Sequence, residues 1–271
     1  MSKSFQDSLQ PQAVCELADI MQVVMRVGVL MLQAGTVSFR VEQAMQRVAL
    51  GLGAERLDAY VTFTGITASV HRGNQHYTQI ARVSSVGVDM NRVGAVEFLS
   101  LHLPADASPS KLMALLDKIE QIPAVYPLPL VLLAVAIACG AFALLQGGGL
   151  VEFVGAAVGA GVGQTVRVYL RSLKLNLVPT TVVCAAIATL LCYLVVQGFA
   201  MVGQPTTYAQ YGYVSSVLFQ VPGAPLVTAA LDLIRFDLLS GISRITYALI
   251  LIFSLAAGII TAGALVNFSI M

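Results

Sequence analysis

The stretch QVPGAPLVTAALD, Gln220 to Asp232, lies inside an apolar run that is long enough to cross a membrane. Three helix-breaking residues, Pro222, Gly223 and Pro225, fall near the middle of that run. Pro222 removes a backbone N–H and its ring clashes with the preceding turn, whereas Pro225 suits the first turn of a new helix. The pattern predicts two half-helices around an unwound link, with a simple proline kink as the alternative.

The composition of the chain separates a polar amino-terminal part from an apolar carboxy-terminal part. Hydrophobic residues make up 57% of the 271 residues and charged residues 11%, and the mean hydropathy is +0.82. Residues 1–122 contain 21 of the Lys, Arg, Asp and Glu residues, and residues 123–271 contain 8. This distribution excludes a protein that is soluble over its whole length, and the net charge of +1 gives no indication of nucleic-acid binding.

The carboxy-terminal part contains five segments with the length and apolarity of transmembrane helices. They are Leu128–Gln146, Leu150–Leu170, Leu177–Gly198, Tyr211–Ile234 and Ile245–Phe268. The second segment carries glycines at positions 155, 159 and 163, a spacing that allows another helix to approach closely. We therefore expect an α-helical membrane protein with five transmembrane helices in residues 123–271, the fourth broken at Pro222–Pro225.

Basic residues between the segments predict the orientation of the chain. Arg167, Arg171 and Lys174 lie at the end of the second segment and in the connection that follows it, and Arg235 and Arg244 lie between the fourth and fifth segments. The other two connections contain no Lys or Arg. Since basic loops remain cytoplasmic and the polar amino terminus has no apolar signal-peptide core, we expect a multi-pass protein of the inner (plasma) membrane. Its amino-terminal domain faces the cytoplasm and its carboxy terminus lies outside.

Residues 1–122 have the patterning of a small cytoplasmic α+β domain of order ααββαα. Two amphipathic helices are expected first, over residues 13–34 and from a capping Ser38 to Gly51 or Gly53. β-Branched and aromatic residues follow, with a turn at Arg72–Gln75 and a phase shift that predicts a bulge at Gly65. Asp89 and Ser108 are expected to cap the last two helices.

Chemistry other than transport has weak support in the sequence. Ser69, Ser84 or Ser85 with His71 and Asp58 would supply the side chains of a hydrolase triad, although a nucleophile-turn motif is missing. The histidines at positions 71, 76 and 102 lack ligand spacing, and the four cysteines form no CxxC pair. We expect no catalytic residues, metal or cofactor, and retain a membrane-anchored hydrolase as the alternative function.

The broken segment is the candidate substrate site. Free N–H groups at the start of a half-helix favour a carboxylate, and the free carbonyls of the other half favour a cation. The expected substrate-binding residues are Pro222, Gly223, Ala224, Pro225, Asp232, Arg244 and Asn176. Asp232 is also the candidate for proton coupling, and its alternative role is an ion pair with Arg235 or Arg244. Glu152 is expected at the outer membrane interface.

The stretch VPGAPLVTAALDLIRFDLLSGISR resembles the signature of the threonine/serine exporter family, ThrE, and especially its shorter YjjP-type members. The matching elements are a proline-glycine-x-proline element, an aspartate seven residues later, and a glycine-x-x-arginine, here Pro222, Gly223, Pro225, Asp232, Gly241 and Arg244. MLQAGTVSFRVEQAM, AYVTFTGITASV and ARVSSVGVDMNRV are similar to family segments of the amino-terminal domain. The resemblance covers most of residues 15–250, and Ala224 is its one departure from the proline element.

The resemblance implies a cytoplasmic domain followed by five spans, completed by a separate five-span partner. It also implies export of threonine and serine, or of dicarboxylates such as succinate for the two-chain type. A peptidase-like role of the amino-terminal domain is a further implication. Three hypotheses follow: an exporter subunit, a membrane-anchored hydrolase, and an amino-terminal domain that gates or assembles the transporter.

Overall fold

The computed structural model describes residues 10–83, 87–104, 106–123, 125–173 and 175–266, and the side chains from residue 17 onward. The chain divides into two compact units. The first comprises Met1–Pro123 and Ala224–Thr246, and the second comprises Ala124–Gly223 and Tyr247–Met271. The assignment of residues 1–122 to the cytoplasm and of residues 123–271 to the membrane stays a prediction.

Up to residue 123, the described residues form four helices and three strands. They are α1 (Gln10–Gln33), α2 (Ser38–Gly51), β1 (Arg56–Thr62), β2 (Gly65–Arg72), β3 (Gln75–Arg82), α3 (Met90–Leu101) and α4 (Pro109–Glu120). The strands form an antiparallel sheet of order β1-β2-β3. Its apolar face packs with α1 and α2 around a core that includes Met21, Met45 and Ile66. Asp89 and Ser108 cap α3 and α4 as predicted.

The predicted order ααββαα is wrong by one strand, because the order is ααβββαα. The one-residue phase shift near Gly65 marks a hairpin turn at residues 63–64, and Thr62 pairs with Gly65 across it. A two-residue turn reverses the chain and restarts the alternation, so in sequence it resembles the shift that a bulge produces. The turn predicted at Arg72–Gln75 joins β2 to β3 and is confirmed.

The helices described after residue 124 make up the rest of the fold. They are α5 (Leu128–Leu145), α6 (Leu150–Ser172), α7 (Leu177–Met201), α8 (Ala209–Ser216), a 3₁₀ turn (Leu218–Gln220), α9 (Gly223–Ile234) and α10 (Leu238–Val266). Within the second unit α6 packs against α5 and α7. A Cβ added at Gly159 would lie 2.4 Å from the carbonyl oxygen of Ala188 on α7. The glycine spacing of α6 therefore permits a close helix crossing, as predicted.

Within the described ranges, three helices have the length and apolarity of a membrane span: α5, α7 and α10. The count becomes four if Ala209–Gln220 and Gly223–Ile234, which are bent by 63° at their break, form one span. Helix α6 occupies the predicted second span but does not reach the same apolarity, since it carries Glu152, Arg167, Arg171 and four glycines. The chain is thus mostly helical with three or four candidate spans, and five spans are not confirmed.

Candidate functional site

The fourth hydrophobic segment is interrupted between Gln220 and Gly223. The 3₁₀ turn ends at Gln220, Val221 is extended, and the N–H of Gly223 donates to the carbonyl of Val221 at 2.8 Å. Helix α9 begins at Gly223, two residues before the predicted start, so Pro225 lies in its first turn. Proline is well tolerated there because the first-turn N–H groups have no partner inside the helix.

The start of α9 is open. Gly223 and Ala224 are exposed, Pro222 is buried, and no heavy atom lies within 4 Å of the position that a Cβ of Gly223 would take. The first N–H groups of a helix carry a partial positive charge and favour anions. The interruption therefore presents an accessible helix amino terminus at the residues expected to bind substrate.

Asp232 lies on α9 and is fully buried, with 0% of its surface exposed. Its Oδ1 accepts the backbone N–H of Ser38 at 3.1 Å, and its Oδ2 accepts the hydroxyls of Ser38 at 3.1 Å and Ser240 at 2.8 Å. The Nε of Arg244 lies 2.9 Å from Oδ2. A cation and several donors compensate the buried carboxylate, which is the condition for keeping a charge in the interior.

Arg244 lies on α10 with 1% of its side chain exposed. Besides Asp232, its Nη1 donates to the hydroxyl of Thr228 at 3.2 Å and its Nη2 donates to the carbonyl of Thr36 at 2.9 Å. The guanidinium carbon also lies 5.3 Å from the centre of the Phe63 ring. The ion-pair alternative for Asp232 is thus realised with Arg244. Arg235 instead stacks over Phe39, with its guanidinium carbon 3.6 Å from the ring centre.

The hydrogen bond from Ser38 changes the interpretation of that residue. Ser38 is the first residue of α2 rather than its cap, and the capping position is held by Val37, which has no side-chain hydrogen bond. The Asp232 carboxylate takes the place of a local cap, because it accepts the N–H of Ser38 at the positive end of α2. A remote carboxylate therefore joins α9 to the amino-terminal fold.

A tight turn brings Asp232 and Arg244 together. Phe236 has φ 65°, and Phe236 and Asp237 donate backbone N–H groups to the carbonyls of Leu233 and Asp232. This is a Schellman-type helix end in which a non-glycine residue takes the left-handed position. A Cβ added at Gly241 would lie 2.6 Å from Leu233, so the glycine allows α10 to fold back on α9. The glycine-x-x-arginine element thus serves the close approach and the ion pair.

Two further carboxyl groups lie in the field of Asp232. Burial raises the pKa of Glu42 above its ordinary value of 4.5, and the negative charges of Asp237 and Asp232 raise it further, against a lowering hydrogen bond from the backbone of Val61. Burial also raises the pKa of Asp237, with Asp232 adding to the shift and Arg235 opposing it. Burial, with the negative charges nearby as the second cause, therefore makes both acids hold their protons more tightly.

The other residues singled out in the sequence have local partners. Asn176 is exposed and caps α7, accepting the N–H of Val178 at 3.3 Å. Its role in substrate binding stays a prediction. Glu152, expected at an interface, is 1% exposed, and its carboxylate accepts the N–H of Gly149 at 2.6 Å and the hydroxyl of Thr206. It therefore fixes the start of α6 and the loop that precedes α8.

The residues of the hydrolase alternative lie on one face of the sheet. The Nε2 of His71 lies 3.1 Å from the Oδ2 of Asp58, while the Ser69 hydroxyl accepts the hydroxyl of Thr78 at 2.9 Å. The hydrogen bond that engages Ser69 thus comes from Thr78 rather than from the base that would activate it. Ser84 and Ser85 lie outside the described residues.

Sequence reasoning missed several residues that surround the ion pair. Ser240 lies four residues before Arg244 on α10, and Thr228 lies four residues before Asp232 on α9. Helical spacing therefore places Ser240 on the same face as Arg244, and Thr228 on the same face as Asp232. That spacing was an available signal. Thr36 and Ser38 gave none, since their contacts with α9 and α10 join parts of the chain that are far apart in sequence.

The model of a family described as "Putative threonine/serine exporter" matches residues 22–266. The chain is 27% identical over 240 residues to the "Probable succinate transporter subunit YjjP" of Klebsiella aerogenes, which covers 86% of this chain and 88% of that protein. It is 25% identical over 251 residues to the protein of that name from Escherichia coli K12, covering 90% and 93%.

A longer relative matches about half of this chain. Identity to a "Threonine/serine exporter" of Corynebacterium glutamicum is 28% over 138 residues, which is 49% of this chain and 28% of that protein. No solved structure matches the chain significantly.

Proposed function

Because the chain belongs to the threonine/serine exporter family, whose model matches residues 22–266, we propose that it is a membrane exporter subunit for small carboxylate-bearing metabolites. The observation that carries this proposal is the interruption of an apolar segment at Val221–Pro222, followed by the exposed helix start at Gly223 and Ala224. Unpaired backbone groups are costly in lipid and persist where they meet protein or a wet pathway. The segment Pro222–Pro225 is accordingly the proposed binding element for a substrate carboxylate.

Threonine, serine and dicarboxylates such as succinate are the candidate substrates, in keeping with the names of the relatives. Two of those relatives are named as subunits. We propose that a separate five-span membrane protein of the same family completes the transporter, as in inverted repeats that place substrate between two halves. Exposed Arg171 and Arg235 support an orientation with the amino-terminal domain in the cytoplasm and the carboxy terminus outside.

In this proposal Asp232 and Arg244 position helices α9 and α10 and do not contact the substrate. The polar atoms of both side chains are engaged by Ser38, Ser240, Thr228 and Thr36, so their effect on substrate passes through the placement of α9 and α10. The amino-terminal domain then gates or aligns the transport helix through the contact between Ser38 and Asp232. Removal of residues 1–122 is expected to abolish export, and full export by the truncated chain would contradict this role.

The test is metabolite efflux from cells that express the chain with and without its genomic neighbour. We expect Pro225→Leu to abolish export without removing the protein from the membrane, because leucine removes the ring that keeps the preceding turn from continuing into α9. Pro179→Leu is the matched control, since Pro179 lies in the first turn of α7, an uninterrupted helix. Wild-type efflux from correctly inserted Pro225→Leu protein would reject the proposal.

A further inference from the structure

The outer edge of strand β3 pairs with no other strand in the part of the chain that the structure describes. The sheet has the order β1-β2-β3, and β3 pairs with β2 on its inner side. All eight residues of β3, Gln75–Arg82, pair in regular register, and the strand contains no proline and no lysine. Proteins usually protect a sheet edge with those residues, with a bulge or with a covering element. An exposed edge without such protection is a template for a further strand.

Every second residue of β3 directs its backbone groups outward. The N–H of Val83 donates to the carbonyl of Thr64 at 2.8 Å, in the pair that follows Gly65 and Arg82. Since hydrogen-bonded and non-hydrogen-bonded pairs alternate in an antiparallel sheet, the odd-numbered residues of β3 bond to β2. The N–H and C=O groups that point away from the sheet belong to the even-numbered residues, all of which are exposed: His76, Thr78, Ile80 and Arg82.

The side chains of this edge favour association with an identical strand. Ile80 is 74% exposed and Tyr77 is 37% exposed, and both residue types are typical of paired strands. Arg82 is the one Lys, Arg, Asp or Glu residue of β3, and it lies at the end of the strand. Two copies of β3 can therefore approach without placing like charges opposite each other along the strand.

Gln79 lies within this edge with a polar atom unsatisfied. Its Oε1 is buried and has no hydrogen-bond partner. Gln79 pairs with Ala68, a core residue, so its side chain lies on the face of the sheet that packs with α1. Buried polar atoms are nearly always hydrogen-bonded. A donor that arrives from beyond the edge would satisfy this oxygen.

We propose that two copies of the chain pair their β3 strands in antiparallel orientation, with a two-fold axis through Gln79, so that their sheets become one continuous sheet. Gln79 bonds to β2, so the two Gln79 residues form a non-hydrogen-bonded pair across the axis, where side chains approach most closely. The side-chain amide of each copy then donates to the unsatisfied Oε1 of the other. The interface lies wholly within the first unit of each copy.

The register through Gln79 uses the full length of the strand. Ile80 of each copy lies opposite Thr78 of the other, and the two exchange the outward N–H···O bonds. Arg82 lies opposite His76, so the two arginines do not face each other. An axis through Thr78 would instead place Arg82 opposite Asn74, which lies in the turn before β3, and would shorten the ladder.

Disulfide cross-linking of the full chain in isolated membranes tests this register. In a chain whose four cysteines are replaced by alanine, Gln79→Cys is expected to form a covalent dimer on mild oxidation. Paired Cα atoms of this kind lie about 4.5 Å apart, within reach of a disulfide. Thr67→Cys, at an exposed position of the central strand β2, is the control for random collision and should not cross-link.

Ile80→Pro, added to Gln79→Cys, removes one outward N–H and none of the hydrogen bonds to β2. We expect it to slow cross-linking about tenfold or more, whereas Ile80→Thr should leave the rate unchanged. Thermal unfolding in detergent checks that the proline variant is folded. If its unfolding temperature falls, Ile80→Lys takes its place, because a lysine at this exposed position blocks edge pairing and leaves the fold intact.

The contrary outcomes concern the partner, the register and the edge. A Gln79→Cys chain that stays monomeric, or that cross-links to a different membrane protein, would overturn the inference. Cross-linking of Thr67→Cys at the same rate would reduce the dimer to random collision. Faster cross-linking of Thr78→Cys than of Gln79→Cys would move the axis, and an unchanged rate in folded Ile80→Pro or Ile80→Lys would exclude pairing through the backbone of β3.

Discussion

The backbone N–H of Ser38 donates to the carboxylate of Asp232 at 3.1 Å, across 194 positions of sequence. One residue begins a helix of the amino-terminal fold, and the other lies on the helix that follows the interruption. A carboxylate at a helix amino terminus is stabilised by the free N–H groups and the helix dipole. The same carboxylate neutralises Arg244, so the contact couples the start of α2 to the turn between α9 and α10.

Breaking the pair of Asp232 and Arg244 on one side leaves a buried charge without compensation. We expect Asp232→Asn and Arg244→Gln each to cost about 3–5 kcal/mol in the free energy of unfolding. The double variant is expected to be less destabilised than the sum of the two, as measured by denaturant unfolding of the purified chain. Strict additivity would show that the two side chains do not interact.

A partly exposed ion pair provides the control for these single and double variants. Arg40 and Glu97 form an ion pair with 38% and 25% of their side chains exposed. Solvent screens such a pair, so Arg40→Gln is expected to cost no more than about 1 kcal/mol.

Glu42 is expected to make stability depend on pH. Its pKa in the folded chain lies above its ordinary value of 4.5, so the folded state binds the proton more tightly than the unfolded state. The free energy of unfolding therefore falls as pH rises from 4.5 through the folded pKa. Glu42→Gln should reduce this fall and raise the unfolding temperature at neutral pH. Asp19→Asn, which changes an exposed carboxylate on α1, is the control, and an unchanged pH profile in Glu42→Gln would contradict the expectation.

The crossing of α6 and α7 depends on a glycine without room for a methyl group. A Cβ at Gly159 would lie 2.4 Å from a backbone oxygen, so the helices must separate in Gly159→Ala. Overpacking of this kind costs about 1–3 kcal/mol and should lower the unfolding temperature in detergent. At Gly161 the nearest atom would lie at 3.5 Å, an ordinary contact, so Gly161→Ala should leave the temperature unchanged or raise it. Equal effects at both positions would exclude the close crossing as the cause.

Thr206 is expected to stabilise the buried Glu152. Thr206→Val removes a hydroxyl that donates to the carboxylate and also accepts the N–H of Tyr208, at a cost of about 1–3 kcal/mol. Thr207→Val makes the same change at the exposed neighbouring position and should stay within about 0.5 kcal/mol of wild type. Chemical unfolding of both variants measures the difference, and similar stabilities would mean that the Thr206 hydroxyl is dispensable.

Local features of the fold were predictable because their causes are local. The caps Asp89 and Ser108 and the turn at Arg72–Gln75 depend on residues within a few positions of one another. The wrong expectations at Gly65 and Ser38 also arise from local sequence, because one local pattern fits two different structures. A hairpin turn next to Gly65 and a bulge produce the same change in alternation, and a serine before a helical pattern resembles a cap whether or not its side chain is used nearby.

The long apolar helices and the interruption of the fourth apolar segment follow from the order of residues alone, because proline and glycine restrict the backbone locally. The pairing of Asp232 with Arg244, and the hydrogen bond of Ser38 to that pair instead of to its own helix end, depend on the folded chain. These contacts arise when distant segments pack, and a buried charge takes whichever partners the packing brings within hydrogen-bond distance.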